Sequence, residues 1–304
     1  MTSEAATPTP AGATRARGQH ARRRVRPRVV AREVAFYIAV LIVVLIALFP
    51  FYWIVRTSLL TDAQVGQGVG GANGLIPSHL SGIAYNEDFT QQGFLTPLIN
   101  SAIVAGATTL ITIIVAALAG YALARLPIRG AGAILTFILV AGFFPVLAMV
   151  GPLFLVLRDL GFLDSIYPLI IVYLVYTLPI STYLLRNFFM QIPKDLEEAA
   201  LVDGATRLVA LRRVVIPVAI PGMFTAAILA FILAWNDFAF AVSFLDSPGS
   251  FTAPLAIVNL GQSQFQVFYN RIDAAVVIIT IPIALLVLFA QRRIVSGLTA
   301  GSFR

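Results

Sequence analysis

The chain of 304 residues is 59% hydrophobic and only 12% charged, where a soluble domain carries roughly a quarter of charged residues, so it is built for a bilayer. Lys and Arg outnumber Asp and Glu by 21 to 14, a net charge of +7. Cysteine is absent, which excludes disulfides, thiolate metal sites and cysteine nucleophiles; the two histidines, His20 and His79, have no second ligand near them, so no metal site and no histidine-based catalysis is expected.

Residues 1–33 read as a disordered basic tail rich in Ala, Pro and Thr, with eight arginines between Arg15 and Arg32. Such a run also suits nucleic acid. Without aromatic interleaving or a folded basic face, it reads instead as a topogenic cytoplasmic segment, and no nucleic-acid partner is expected. The apolar run that follows is too long for a signal-peptide core and lacks an obvious cleavage site, so it is predicted to remain as a helix.

A crossing helix needs about 20 apolar residues to traverse about 30 Å of hydrocarbon. Six stretches qualify: Val34–Val55, Pro97–Leu123, Gly130–Gly151, Ile166–Leu185, Val214–Leu245 and Ile272–Ala290. The predicted fold class is an all-α polytopic membrane protein of six transmembrane helices. Residues 34–96 comprise the first helix and a Gly-rich outer loop, in which Gly66, Gly68, Gly70, Gly71 and Gly74 predict a mobile linker; residues 97–304 comprise the core membrane domain. Between spans three and four, Pro152–Ser165 is interrupted by Arg158 and Asp159 and is too short to cross, so a short helix on the outer surface is expected. The fifth stretch is longer than one crossing and carries Pro217, Pro221 and Gly222 near its start, which predicts a kink.

Loop charges set the orientation, because Lys and Arg are retained on the cytoplasmic side. With both termini cytoplasmic, 18 of the 21 basic residues fall inside. Only Arg56, Arg158 and Arg271 fall outside or at the outer boundary, and the first outer loop carries Asp62, Glu87 and Asp88. The even number of spans agrees with that result.

Between spans four and five lies a polar island, residues 187–217. Pro193 suits a first helical turn, where its missing N–H has no intrahelical partner anyway, so a helix is predicted to begin there. Asp195, Glu197 and Glu198 sit in its first turns, at the positive end of the helix dipole. Leu196, Ala199, Ala200 and Asp203 follow at helical spacing, giving a small, mildly apolar face that a partner's backbone can approach closely. Gly204 fits the left-handed position that ends such a helix. Thr206 can cap a second helix running through Arg212 and Arg213 toward the membrane.

The series Glu198-Ala199-Ala200, Gly204 and Val214-Val215-Ile216-Pro217, an E-A-A-x3-G-x9-V-x-I-P pattern, resembles the signature loop of the permease subunits of binding-protein-dependent ABC importers. The usual ending is I-x-L-P, from which Val214 and Ile216 depart conservatively. The resemblance runs from about Pro97 to the C-terminus. Gly151-Pro152-Leu153-Phe154, Leu160-Gly161-Phe162-Leu163-Asp164-Ser165, Leu185-Arg186-Asn187-Phe188-Phe189, Ala234-Trp235-Asn236-Asp237-Phe238 and Gly297-Leu298-Thr299-Ala300-Gly301 are similar to the carbohydrate branch, and within it to the smaller permease of maltose-type transporters.

That resemblance implies a heteromeric importer in the bacterial cytoplasmic membrane: a heterodimer of this chain with a second permease, two ABC ATPase subunits and an extracytoplasmic sugar-binding protein. The solute it implies is a di- or oligosaccharide. Glu197, Glu198, Ala199, Ala200, Asp203 and Gly204 would form the ATPase-docking helix, with Glu198 pairing to a basic residue of the ATPase. Gly261, Gln262, Ser263, Gln264 and Phe265 would belong to an outer loop that reaches the binding protein.

Sugar recognition needs polar and aromatic groups facing a water-filled cavity, since polar groups at bilayer depth are otherwise costly. Trp235, Asn236, Asp237 and Tyr176 are the expected path residues, with Asp237 about 24 Å beyond Pro221 in the outer third of the membrane. Tyr173, Thr177, Ser181 and Thr182 are equally suited to helix contacts. The alternative is an ATP-independent secondary transporter or channel for a small polar solute. Six spans are few for such a carrier, and no intramembrane Lys, Glu or His offers a proton relay. The chain is not expected to be an enzyme or to hold a cofactor: its single lysine, Lys194, follows Pro193 and forms no P-loop. ATP and Mg would be used by the partner ATPase subunits.

Overall fold

The computed structural model describes residues 27–67, 74–77, 79–90, 92–260 and 267–299. The tail through Arg26, the glycines Gly68, Gly70 and Gly71, and the expected binding-protein loop Gly261 to Phe265 lie outside the described residues. All regular elements among the described residues are helical. Residues 1–51 and 52–304 are separate units.

The first unit supplies most of α1 (Pro27–Ser58), which opens on a proline, as helices often do, and carries an apolar window of mean hydropathy 2.9. The second unit begins with its last turns. In the outer loop, Thr61 caps the short α2 (Asp62–Gly66) through a capping box with Gln64, and α3 (Ile83–Thr90) follows.

The second span is α4 (Leu95–Arg125). The third departs from the single crossing expected from about Gly130 to Gly151. Instead α5 (Ala131–Gly142) stops after 12 residues, and α6 (Val146–Asp159) leaves it at an angle of 81°. Pro145, with no N–H and a fixed φ, sits at the break and starts the new helix. The outer helix expected over Pro152–Ser165 therefore starts at Val146 and includes residues assigned to the crossing. Among the described residues, five helices are long and apolar enough to cross a membrane, and the bent pair makes a sixth if taken as one span.

The fourth span is α7 (Tyr167–Val172) and α8 (Leu174–Gln191), joined at Tyr173. The polar island contains α9 (Lys194–Val202) and α10 (Arg207–Ala210). A π turn (Leu211–Val215) then leads into α11 (Ile216–Trp235). Pro217 cannot donate to the ordinary ladder, and just before it the Ile216 N–H reaches back five residues to the Leu211 carbonyl. The fifth span ends at Trp235 and not at Leu245. Asn236 turns its side-chain amide onto the Ile232 carbonyl at 2.8 Å and closes the helix. After that stop come α12 (Ala239–Phe244), α13 (Ala253–Asn259) and the sixth span, α14 (Tyr269–Thr299).

Within the second unit, α4, α8 and α11 pack against one another, α14 lies on α11 and α5 on α8. The cytoplasmic half of this bundle buries Ala116, Ala117, Tyr121, Leu185, Phe189, Leu211 and Val215, and the outer half Val104, Leu169, Tyr173, Trp235, Phe240 and Phe244. Buried hydroxyls join the helices: Thr112 and Thr177 lie 2.8 Å apart, and Thr108 donates to the Ile170 carbonyl at 3.2 Å. Thr177, Ser181 and Thr182 are all buried, and the Ser181 hydroxyl has no hydrogen-bond partner among the described residues.

Candidate functional site

The predicted turn after α9 is present in detail. The N–H of Gly204 bonds to the Leu201 carbonyl at 3.1 Å and that of Ala205 to the Ala200 carbonyl at 3.0 Å, the paired closure of a Schellman motif. Gly204 takes φ +85°, where a Cβ is disfavoured. Two residues on, the Thr206 hydroxyl accepts the Val209 N–H and starts α10. The result is a compact helix–turn–helix.

Pro193, Asp195, Leu196, Glu198, Ala199, Val202, Asp203 and Gly204 are exposed, and Ala200 is half-buried. Val202 is 87% exposed and Leu208, across the turn, 65%. Beside the turn, a cleft of about 460 Å³ is lined by Ala200, Gly204, Thr206, Val209 and Arg213 among others.

Glu197 behaves differently from its neighbours: it is the one buried residue of α9, 7% exposed. Its Oε1 accepts from the Tyr121 hydroxyl, and its Oε2 lies 3.6 Å from Arg125 Nε. Arg125 also donates to the Ile192 carbonyl. Sequence reasoning grouped Glu197 with the exposed docking residues and did not single out Tyr121 or Arg125. Their four-residue spacing at the end of span two, which places both on one helix face, was the available signal.

At the other end of the bundle, Asp237 is half-buried, and its Oδ2 accepts from the Tyr173 hydroxyl at 2.7 Å and from the Ala241 N–H at 3.3 Å. The Tyr176 ring lies tilted against that of Tyr173, ring centroids 5.7 Å apart, and its buried hydroxyl has no partner among the described residues. Of the other expected path residues, Trp235 is buried, stacked on Phe231 at 5.3 Å and bonded through its indole N–H to the Ile279 carbonyl. Asn236 is the exposed helix stop. The structure thus joins Asp237 and Tyr176 through Tyr173, while Trp235 and Asn236 are taken up by packing and capping.

The segment leading toward the expected binding-protein loop is clamped from two sides. Asp164 Oδ1 accepts the N–H groups of Asp246 and Ser247, at 3.0 and 2.9 Å, and the Ser250 hydroxyl. The hydroxyl and N–H of Ser247, with Ser250 and Asp246, hold the Asp164 carboxyl well below the usual carboxylate range. On the second side, Asn100 donates to the carbonyls of Gly249 and Phe251, and Ser101 accepts the Ala253 N–H at 2.8 Å.

Residues 113–299 match the family of binding-protein-dependent transport system inner membrane components. The chain is 42% identical to the trehalose transport system permease protein SugB of Mycobacterium tuberculosis, over 85% of this chain and 93% of that protein. It is 41% identical to the sulfoquinovosyl glycerol transport system permease protein SmoH of Agrobacterium fabrum, over 84% and 89%. It is 35% identical to the trehalose/maltose transport system permease protein MalG of Thermococcus litoralis, over 85% and 92%. Among solved structures, one of a bacterial ABC transporter involved in the import of the acidic polysaccharide alginate superposes with a TM-score of 0.74 at 26% identity, covering 88% of this chain and 98% of that one.

Proposed function

The chain belongs to the family of binding-protein-dependent transport system inner membrane components, and from that premise we propose that it is a permease subunit importing a disaccharide or a related small glycoside. It is a multi-pass protein of the cytoplasmic membrane. The observation that carries the mechanism is α9 with its Gly204 turn, which presents Glu198, Ala199, Val202 and Asp203 outward on one rigid element.

On this reading α9 docks on an ATP-hydrolysing subunit, one of two, and the chain pairs with a second permease. Glu198 meets a basic residue of the ATPase, Val202 and Leu208 are covered by it, and closure of the ATPase pair rocks the helices between inward-open and outward-open states. ATP and Mg act on those partners. Sugar delivered by an extracytoplasmic binding protein passes Asp237, Tyr173 and Tyr176. Tyr176 supports this because a buried hydroxyl without a partner is costly, and a solute hydroxyl or water in the path would satisfy it. The sugar class rests on the names of the relatives, which carry trehalose, trehalose/maltose and sulfoquinovosyl glycerol.

The test is uptake of radiolabelled trehalose into proteoliposomes containing this chain with its genomically neighbouring permease, ATPase and binding protein. Uptake that requires both ATP inside and binding protein outside is expected. Uptake indifferent to ATP would refute the reading.

A further inference from the structure

A glutamate is a poor choice for the one buried position of a surface helix unless its charge is matched. In α9 the matching groups, Tyr121 and Arg125, both lie on α4. Neither is free to follow a moving carboxylate. The Tyr121 ring is 5% exposed and meets the ring of Phe189 edge-on at 6.2 Å, inside the core built with Leu211 and Val215. The Arg125 side chain is 3% exposed and is held to the Ile192 carbonyl, just before α9 begins. Glu198, one residue and about 100° further round the helix, points outward.

The anchored helix reaches the other face of the membrane. From Tyr121 back to Ser101 is 20 residues, or about 30 Å of α-helix, with no proline after its opening turn. At that far end Asn100 and Ser101 hold the backbone of Gly249, Phe251 and Ala253. One rigid rod therefore carries α9 at its inner end and the outer loop at the other.

We propose that Glu197 is the strut that fastens the docking helix to α4, so that displacement of α9 is transmitted along α4 to the outer loop; it is a positioning residue and not part of the ATPase contact. The proposal rests on the importer reading above. It assigns the two adjacent glutamates opposite duties: Glu198 grips the motor and Glu197 delivers the pull.

The experiment uses the complete complex in proteoliposomes with trehalose and binding protein, and reads trehalose taken up per ATP hydrolysed, ATPase subunits retained on purification, and thermal stability. For Glu197→Ala we expect the ATPase subunits to be retained and hydrolysis to continue, while uptake per ATP falls by about ten-fold. Tyr121→Phe, which removes one hydroxyl from a buried ring, should fall in the same direction with normal assembly. Glu197→Gln, which keeps an acceptor for Tyr121, should be milder than Glu197→Ala. Glu198→Ala should instead lose ATPase subunits. If Glu197→Ala sheds ATPase subunits as Glu198→Ala does, Glu197 belongs to the docking surface and the strut is wrong. Should Glu197→Ala fail to fold, Tyr121→Phe decides: a wild-type uptake ratio there overturns the strut. ATP-independent uptake by the wild type would overturn the importer reading and the strut with it, whereas ATP-dependent wild-type uptake with unaltered variants overturns the strut alone.

Discussion

The hydroxyl of Tyr173, at the joint between α7 and α8, donates to the carboxylate of Asp237, just past the end of α11, at 2.7 Å. This bond ties spans four and five together next to the Tyr176 hydroxyl, which has no partner among the described residues. Removing one partner of a hydrogen bond to a charged group costs about 1.5–3 kcal/mol. Tyr173→Phe should therefore lower both the melting temperature of the purified complex and its rate of sugar uptake. Tyr176→Phe, which breaks no bond seen here, should leave the melting temperature unchanged and lower uptake alone. Equal effects of the two on stability would argue against Tyr176 as a path residue.

Gly222 of α11 faces Phe188 of α8 so closely that a Cβ built there would lie 2.4 Å from the ring carbon Cγ. Small residues at such crossings let helix backbones approach. Gly222→Ala should destabilise by about 1–3 kcal/mol, the usual cost of overpacking. Adding Phe188→Leu should recover part of the loss, as thermal unfolding of single and double variants would show. No recovery would mean that the strain falls elsewhere.

At Gly204 nothing lies within 4 Å of a Cβ, so a substitution there meets a backbone cost and no clash. With φ at +85°, Asn should be tolerated best, Ala should cost about 1–2 kcal/mol, and a β-branched Val should be worst. ATP-driven uptake should follow the order Gly, Asn, Ala, Val with membrane insertion intact. Pro, which also removes the N–H bonded to Leu201, should abolish it.

Asp88 in α3 is fully buried, and neither carboxylate oxygen has a hydrogen-bond partner among the described residues. Burial pushes its carboxyl up to about 7, against the pull of Arg271 and with the help of Glu87, which itself pairs with Arg271 at 2.9 Å. Because the folded value lies above the unfolded 3.8, the folded state holds the proton more tightly. The resulting stabilisation is full below the unfolded value and is lost as pH rises through about 7. Melting temperatures measured from about pH 5 to about pH 8 should fall more steeply for the wild type than for Asp88→Asn. Parallel curves would contradict this account.

The helix–turn–helix after span four was legible almost residue by residue, because Pro193, Gly204 and Thr206 act through local backbone chemistry. Hydropathy located the crossings for a similar reason: each needs only length and apolarity. It missed the bend at Pro145, which lies inside continuous apolar sequence, and the stop at Asn236, because Asn236-Asp237 is too short a polar break to lower the average over a whole crossing. The inward turn of Glu197 left only a faint trace, the four-residue spacing of Tyr121 and Arg125, which does not say what the two residues face. Two adjacent glutamates look alike in a motif, and only the packing of Tyr121 and Arg125 from α4 separates them.

On the proposed reading α9 is the handle by which an ATPase drives this permease, and the natural absence of cysteine lets a single thiol be placed there. Ala199 is exposed on that handle. In membranes containing the assembled complex, Ala199→Cys treated with a short thiol-to-amine cross-linker should yield one adduct, with the ATP-binding subunit. Labelling of the same thiol in intact cells by a membrane-impermeant maleimide, with no such adduct, would contradict the account.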